Sequence, residues 1–197
     1  MKNQFVYIVG PPGVGKYTVG SALVVHMSAK LVDNHYWLNP VFGLIRQDGM
    51  TPLPREVWVQ VKQVRAVVLE TIATLSPSEW NFVFTHAFVD RPGDYAIARE
   101  IFAAGERRSA DILVVRLTCT ADELARRVVI PERRARFKEV DADAARRHAS
   151  LPLFDSGDRK TLTMDTSALT AEATVERILH ALPKGDGRER ATPRPFP

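Results

Sequence analysis

The sequence predicts an α/β fold, a mostly parallel β-sheet with helices on both faces, and three observations predict it. Five short apolar runs alternate with segments of helical periodicity along the chain. The first and fourth runs are almost continuously apolar, as strands covered on both faces are. A glycine-rich segment, Gly10-Pro11-Pro12-Gly13-Val14-Gly15-Lys16-Tyr17-Thr18, stands at the first strand-to-helix junction.

Taken in order, the first strand is Phe5–Val9 and the helix after the glycine-rich loop is Lys16–Ser28. Lys30–Asp33 is the second strand, closed by Asp33-Asn34, a good turn pair. Pro54 precedes a long helix, Arg55–Leu75, where a first-turn proline is tolerated. Phe82–Thr85 is the third strand, Pro92–Ala104 a helix and Ile112–Leu117 the fourth strand. In the helix Ala121–Arg127, Asp122 and Glu123 favour the N-terminal end and Arg126 and Arg127 the C-terminal end. The last elements are the helix Ala142–Ser150, the strand Thr161–Met164 and the helix Ala171–Leu182. Proline, glycine and charge dominate from Pro183 onward, so residues 1–182 are read as one domain and 183–197 as a flexible tail.

Composition narrows the function. At 197 residues the chain can bury a sizeable core. No apolar run approaches the ~18 residues of a membrane span, and the N-terminal run stops at Gly10-Pro11-Pro12, too soon for a signal-peptide core. A cytoplasmic protein without a membrane partner is expected. Cys119 is the only cysteine, which excludes an internal disulfide and fits a small buried apolar residue. The net charge of +4 is concentrated: eight arginines and lysines lie between Arg126 and His148, against four acids. That suits a polyanionic small molecule. Phe137 is the one aromatic residue among those cations, too little for a stacking platform, which argues against nucleic acid.

Strand, glycine-rich loop, helix is the context of a phosphate-binding loop. Loop N–H groups converge on a phosphate, the helix adds its positive end, and Lys16 adds a full charge. The pattern G-x-x-x-x-G-K is complete from Gly10 to Lys16, with Gly13, Val14 and Gly15 inside it. The next position, where a Ser or Thr hydroxyl would ligate Mg²⁺, is Tyr17, and Thr18 follows.

Ligands of such sheets bind at the carboxyl ends of the strands. That rule selects Asp33-Asn34-His35-Tyr36-Trp37, Thr85-His86, Cys119-Thr120 and Asp165-Thr166-Ser167. Asp33 can take a proton from an acceptor hydroxyl or hold Mg²⁺ through water. His35 and His86 are each read either as a substrate contact or as a hydrogen-bonded structural histidine. The third strand lacks an acid at its end, which leaves Asp33 as the main carboxylate near a metal. The run from Arg126 and Arg127 through Arg133, Arg134, Arg136 and Lys138 is broken by Pro131 and reads as a basic lid at about 127–140.

These features occur in a familiar order, and from Phe5 to Leu182 the chain resembles a small P-loop kinase of the shikimate kinase, gluconate kinase and chloramphenicol phosphotransferase type. The resemblance implies a three-layer P-loop NTPase fold, with a five-stranded parallel sheet in the order 2-3-1-4-5. It implies ATP as donor, Mg²⁺ as cofactor and a small-molecule hydroxyl as acceptor. It places Arg127 against adenine, Arg133 and Arg136 on the phosphates, and Thr18 on the α-phosphate. The segment after Met164, including Thr166, borders the base, and Asp33 meets the acceptor hydroxyl. Tyr17 departs from the family pattern and leaves direct magnesium ligation open. Lys16, Asp33, Arg133 and Arg136 are the expected catalytic residues; Asp33, His35, Arg46 and His86 are the expected acceptor contacts. Two other functions stay in view. One is a nucleotide kinase that holds a phosphate-bearing acceptor with Arg46 or Arg55. The other is a nucleotide-binding regulator with little or no ATPase activity.

Overall fold

The computed structural model describes residues 2–46, 51–88, 90–131, 133 and 138–182. The predicted tail, 183–197, lies outside them, as do Arg134 and Arg136 of the predicted lid.

Five strands, β1 (Gln4–Gly10), β2 (Ala29–Asp33), β3 (Asn81–Ala87), β4 (Asp111–Thr118) and β5 (Thr161–Asp165), form one sheet in the order β2-β3-β1-β4-β5. Every pairing is parallel. Seven helices connect them among the described residues: α1 (Lys16–Met27), α2 (His35–Phe42), α3 (Arg55–Thr74), α4 (Pro92–Arg107), α5 (Ala121–Val128), α6 (Ala142–Ala149) and α7 (Ala171–Ala181). Each expected element is present within a few residues of its expected ends. The helix α2 has no counterpart among the expected elements.

The central strand explains the layers. Successive side chains of a strand point to opposite faces. Phe5, Tyr7 and Val9 of β1 enter one core, with Trp37 and Phe42 of α2, Leu69 of α3 and Phe102 of α4. Val6 and Ile8 enter the other, with Leu23 of α1, Leu124 of α5, Ala145 of α6 and Ile178 of α7. Both faces of β1 are therefore covered, which is why its sequence shows no polar alternation. No helix among the described residues is long and apolar enough to cross a membrane.

Ser28, in the left-handed region at φ 49°, ends α1 by donating its N–H to the Val24 carbonyl, and the chain turns at once into β2. This short link delivers Asp33, at the carboxyl end of β2, opposite Thr85 of β3. Because β3 also pairs with β1, Asp33 sits one strand away from the strand that feeds the glycine-rich loop.

Candidate functional site

Gly10 ends β1 at φ 150°, and Gly13 and Gly15 follow at φ 90° and 100°. L-residues rarely adopt such angles, so these glycines set the path of the loop. Gly10 carries a second constraint: a Cβ there would run into the Leu117 carbonyl of β4. Gly10→Ala is therefore expected to destabilise the fold by about 1–3 kcal/mol and to weaken phosphate binding with it. Thermal unfolding with and without ATP checks this, and an alanine variant equal to wild type in both would show that the loop tolerates a different path.

The far side of the loop is pinned from β5. Thr166, buried just past the strand end, places its hydroxyl 3.0 Å from the Val14 carbonyl and 3.1 Å from that of Thr118. The Arg127 guanidinium lies beside it, donating to the Thr166 carbonyl at 2.9 Å and to the Thr166 hydroxyl at 3.3 Å. Glu123 holds the other edge of Arg127 at 2.7 Å. A flat, always charged group is thus fixed in orientation at the mouth of the loop.

The Lys16 ammonium donates to the carbonyls of Gly10 and Pro11, at 2.8 and 2.7 Å. Burial lowers its pKa from 10.5 to about 7; the charges of Arg133 and Lys138 add to the lowering and Asp33 opposes it. Arg133, Lys138 and a Lys16 poised to gain its charge line one cleft at the end of the loop, an arrangement that favours a polyanion. Arg133 is held by a 3.0 Å hydrogen bond from its Nε to the Glu139 carbonyl. Lys138 approaches Asp33 Oδ2 to 3.9 Å and stands 4.3 Å from the centre of the Tyr17 ring.

Asp33 is densely bonded. Its Oδ1 accepts from the His35 backbone N–H and from His35 Nδ1, each at 3.0 Å. Its Oδ2 accepts the Thr85 hydroxyl at 2.6 Å. Burial opposes its charge, but the bond from His35, the Lys138 charge and the bond from Thr85 together hold the carboxyl well below the usual carboxylate range.

These groups line one open cleft of about 450 Å³. Its walls include Gly13 to Thr18 of the loop and α1, Asp33 and His35, Arg127 and Arg133, Lys138 and Thr166. The structure therefore brings together most of the residues singled out from sequence. Gly10 shapes the loop from behind the cleft without lining it, Arg136 lies outside the described residues, and neither acceptor candidate Arg46 nor His86 joins the site. Arg46 is exposed beyond the end of α2 and does not line the cleft. His86 is 4% exposed in the core, where its Nδ1 meets the Tyr7 hydroxyl at 2.6 Å and its Nε2 faces Asp94 at 3.6 Å. Burial raises the Tyr7 pKa well above 10.0, so that hydroxyl keeps its proton and shares a buried hydrogen bond with Nδ1. Of the two roles weighed for His86, the geometry fits the structural one.

Lys138 lines the cleft as well, and the sequence names it only as a member of the basic lid, with no role of its own. Within the basic run nothing distinguishes it from the arginines, and spacing alone does not mark it. Glu139 also reaches the cleft, but its Oε1 accepts the N–H groups of Val140 and Asp141.

The residues present do not fit an Mg²⁺ ligated directly by the protein. The side chain after Lys16 is an aromatic ring with an ammonium over its face, and Asp33 is bonded to His35 and Thr85. Among the described residues no group of three or more His, Cys, Asp or Glu could hold a metal. The glycine-rich loop, Lys16, Arg133 and Lys138 line one cleft whose chemistry suits a polyanion.

No protein-family model matches the sequence, and a comparison with curated proteins returns no match. Solved structures do match. A gluconokinase from Sinorhizobium meliloti 1021 superposes with a TM-score of 0.63 at 16% identity, covering 91% of each chain. Shikimate kinase from Acinetobacter baumannii, in complex with shikimate, gives a TM-score of 0.51 at 18% identity over 90% of this chain and 91% of that one. Thymidylate kinase from Candida albicans gives 0.55 at 15% identity over 91% and 90%. The chain has the α/β P-loop NTPase fold of these kinases.

Proposed function

We propose that this chain is an ATP-dependent kinase that transfers the γ-phosphoryl group to a hydroxyl of a small molecule. The observation that carries the reading is the convergence in one cleft of the Lys16, Arg133 and Lys138 cations with the Asp33 carboxylate. The kinase fold supports it.

The loop amides and Lys16 hold the β- and γ-phosphates, and Arg127, fixed by Glu123 and Thr166, offers its flat face to the base. The acceptor hydroxyl donates to Asp33 Oδ2. Its oxygen attacks the γ-phosphorus in line, the bond from that phosphorus to the β,γ-bridging oxygen breaks, ADP leaves with the bonding pair, and the hydroxyl proton passes to an oxygen of the transferred group or to water once the new P–O bond has formed. In a loose transition state the attacking oxygen forms little bond early, so positioning and charge matter more than early proton removal. Asp33 suits such positioning, because a carboxylate held so far below its usual range is a weak base but a firm hydrogen-bond acceptor. Lys16, Arg133 and Lys138 balance the charge that spreads over the transferring group.

The exposure of Arg46 and Arg55, away from the cleft, weighs against a nucleotide kinase that uses them to grip a second phosphate. The test is ADP release measured across sugars, shikimate-like acids, antibiotics and nucleotides. Release that depends on one non-nucleotide hydroxyl compound is the expected result. Dependence on a nucleotide acceptor would move the protein to the nucleotide kinases. A slow release indifferent to every acceptor would move it to the regulators.

A further inference from the structure

Tyr17 leaves a question of charge. A triphosphate bound in such a loop is ordinarily neutralised by Lys together with a divalent cation on the hydroxyl of the next residue. Here that residue is Tyr17, 37% exposed, with the Lys138 ammonium 4.3 Å from its ring centre. The same ammonium lies 3.9 Å from Asp33 Oδ2, and the Lys138 side chain is only 14% exposed. A cation over an aromatic face gains most when it is desolvated, so ring and carboxylate together hold the charge in place. We propose that the Lys138 ammonium, seated on Tyr17 and paired with Asp33, takes the place of the divalent cation, so that ATP binds this protein without magnesium. The proposal rests on the nucleotide reading given above and adds to it the source of the countercharge.

Three further observations agree. Lys138 and Arg133 line the same cleft as Lys16 and residues 12–18 of the phosphate-binding loop, and their charges help lower the Lys16 pKa. A divalent ion entering there meets the Arg133 and Lys138 cations and a partly charged Lys16, and in a partly desolvated cleft that repulsion is expensive. The two carboxylates in the cleft are already engaged, Asp33 by His35, Thr85 and Lys138, and Glu139 by two backbone N–H groups. The ring of Tyr17 seats the ammonium as a serine in its place could not.

The test is calorimetric titration of the whole chain with ATP, in EDTA and in excess Mg²⁺ at matched ionic strength. For wild type, the Kd is expected to agree within about threefold between the two, because the charge is supplied by the protein. In Lys138→Met the Kd in EDTA should rise by about tenfold or more, with Mg²⁺ restoring most of the loss. Tyr17→Ser should behave like Lys138→Met. Tyr17→Phe should behave like wild type, since the ring face and not the hydroxyl seats the ammonium. The Tyr17 pair keeps the test valid if Lys138→Met unfolds. Wild-type binding that survives only with Mg²⁺ overturns the proposal and leaves the nucleotide reading standing. An equal loss in both conditions for Lys138→Met, or a failing Tyr17→Phe, also overturns it. No ATP binding in either condition overturns both.

Discussion

Lys16→Ala is expected to leave the protein folded and to abolish its stabilisation by ATP. Occupancy of the native state at a hundredfold excess over Kd is worth about 2.7 kcal/mol, or about 5–10 °C in Tm for a domain of this size. The Lys16 ammonium meets two backbone carbonyls, and Arg133 and Lys138 repel it, so its removal costs the free protein little. The pH dependence supplies a second readout. Folding lowers the Lys16 pKa from 10.5 to about 7. Between those values the unfolded chain holds a proton that the native state lacks, so Lys16 makes the free protein more stable as pH rises through this window. Bound phosphates favour the charged ammonium and call the proton back. ATP binding above pH 7 should therefore take up a proton, and affinity should fall by up to about tenfold per pH unit until the bound-state pKa is reached. Titration in buffers of different ionisation enthalpy measures the uptake. Lys16→Ala should show neither effect. ATP stabilisation that persists unchanged in the variant would remove the phosphate-binding assignment.

The parts of this site that can be read from sequence are those that the backbone specifies. Gly10, Gly13 and Gly15 are needed for positive φ, and the apolar runs of β1 and β4 report burial on both faces. What could not be read depends on packing between distant segments. The helix α2 begins directly after an Asp-Asn pair that favours a turn, and it contains Pro40. Its buried Trp37 and Phe42, packed with residues of α3 in one core, override those local signals. That helix also carries the chain past the cleft and leaves Arg46 exposed beyond its end. For His86 the carboxyl-end rule named the right strand end but not the face. Thr85 turns toward α1, where its methyl group would lie 3.1 Å from a Cβ added to Gly20, and toward Asp33. His86 alternates to the opposite layer, where Tyr7 and Asp94 receive it. The role of Lys138 is visible only through its distances to Tyr17 and Asp33.

Asp33→Asn is expected to retain ATP binding and to lower phosphoryl transfer by about 10²–10⁴-fold. The substitution keeps the shape of the side chain. An amide oxygen can still accept both N–H groups of His35, and the Thr85 hydroxyl can turn to accept from the new NH₂ group. The acceptor then loses a charged hydrogen-bond partner, and Lys138 loses its counterion. Proton occupancy distinguishes this role from that of a base working near neutrality. The native carboxyl is held well below the unfolded value of 3.8, so Asp33 stays ionised at every pH where the protein is assayed. Its contribution to stability is complete above that unfolded value and is lost only as pH falls through the lower native one. Turnover should accordingly show no acidic limb from Asp33 above about pH 4. Measuring kcat against pH in wild type and Asp33→Asn, with ATP affinity followed in parallel, checks both expectations. Full activity in Asp33→Asn would reduce Asp33 to the residue that caps the turn before α2. Loss of ATP binding together with activity would show that Asp33 acts by holding Lys138 for the nucleotide and not by meeting the acceptor.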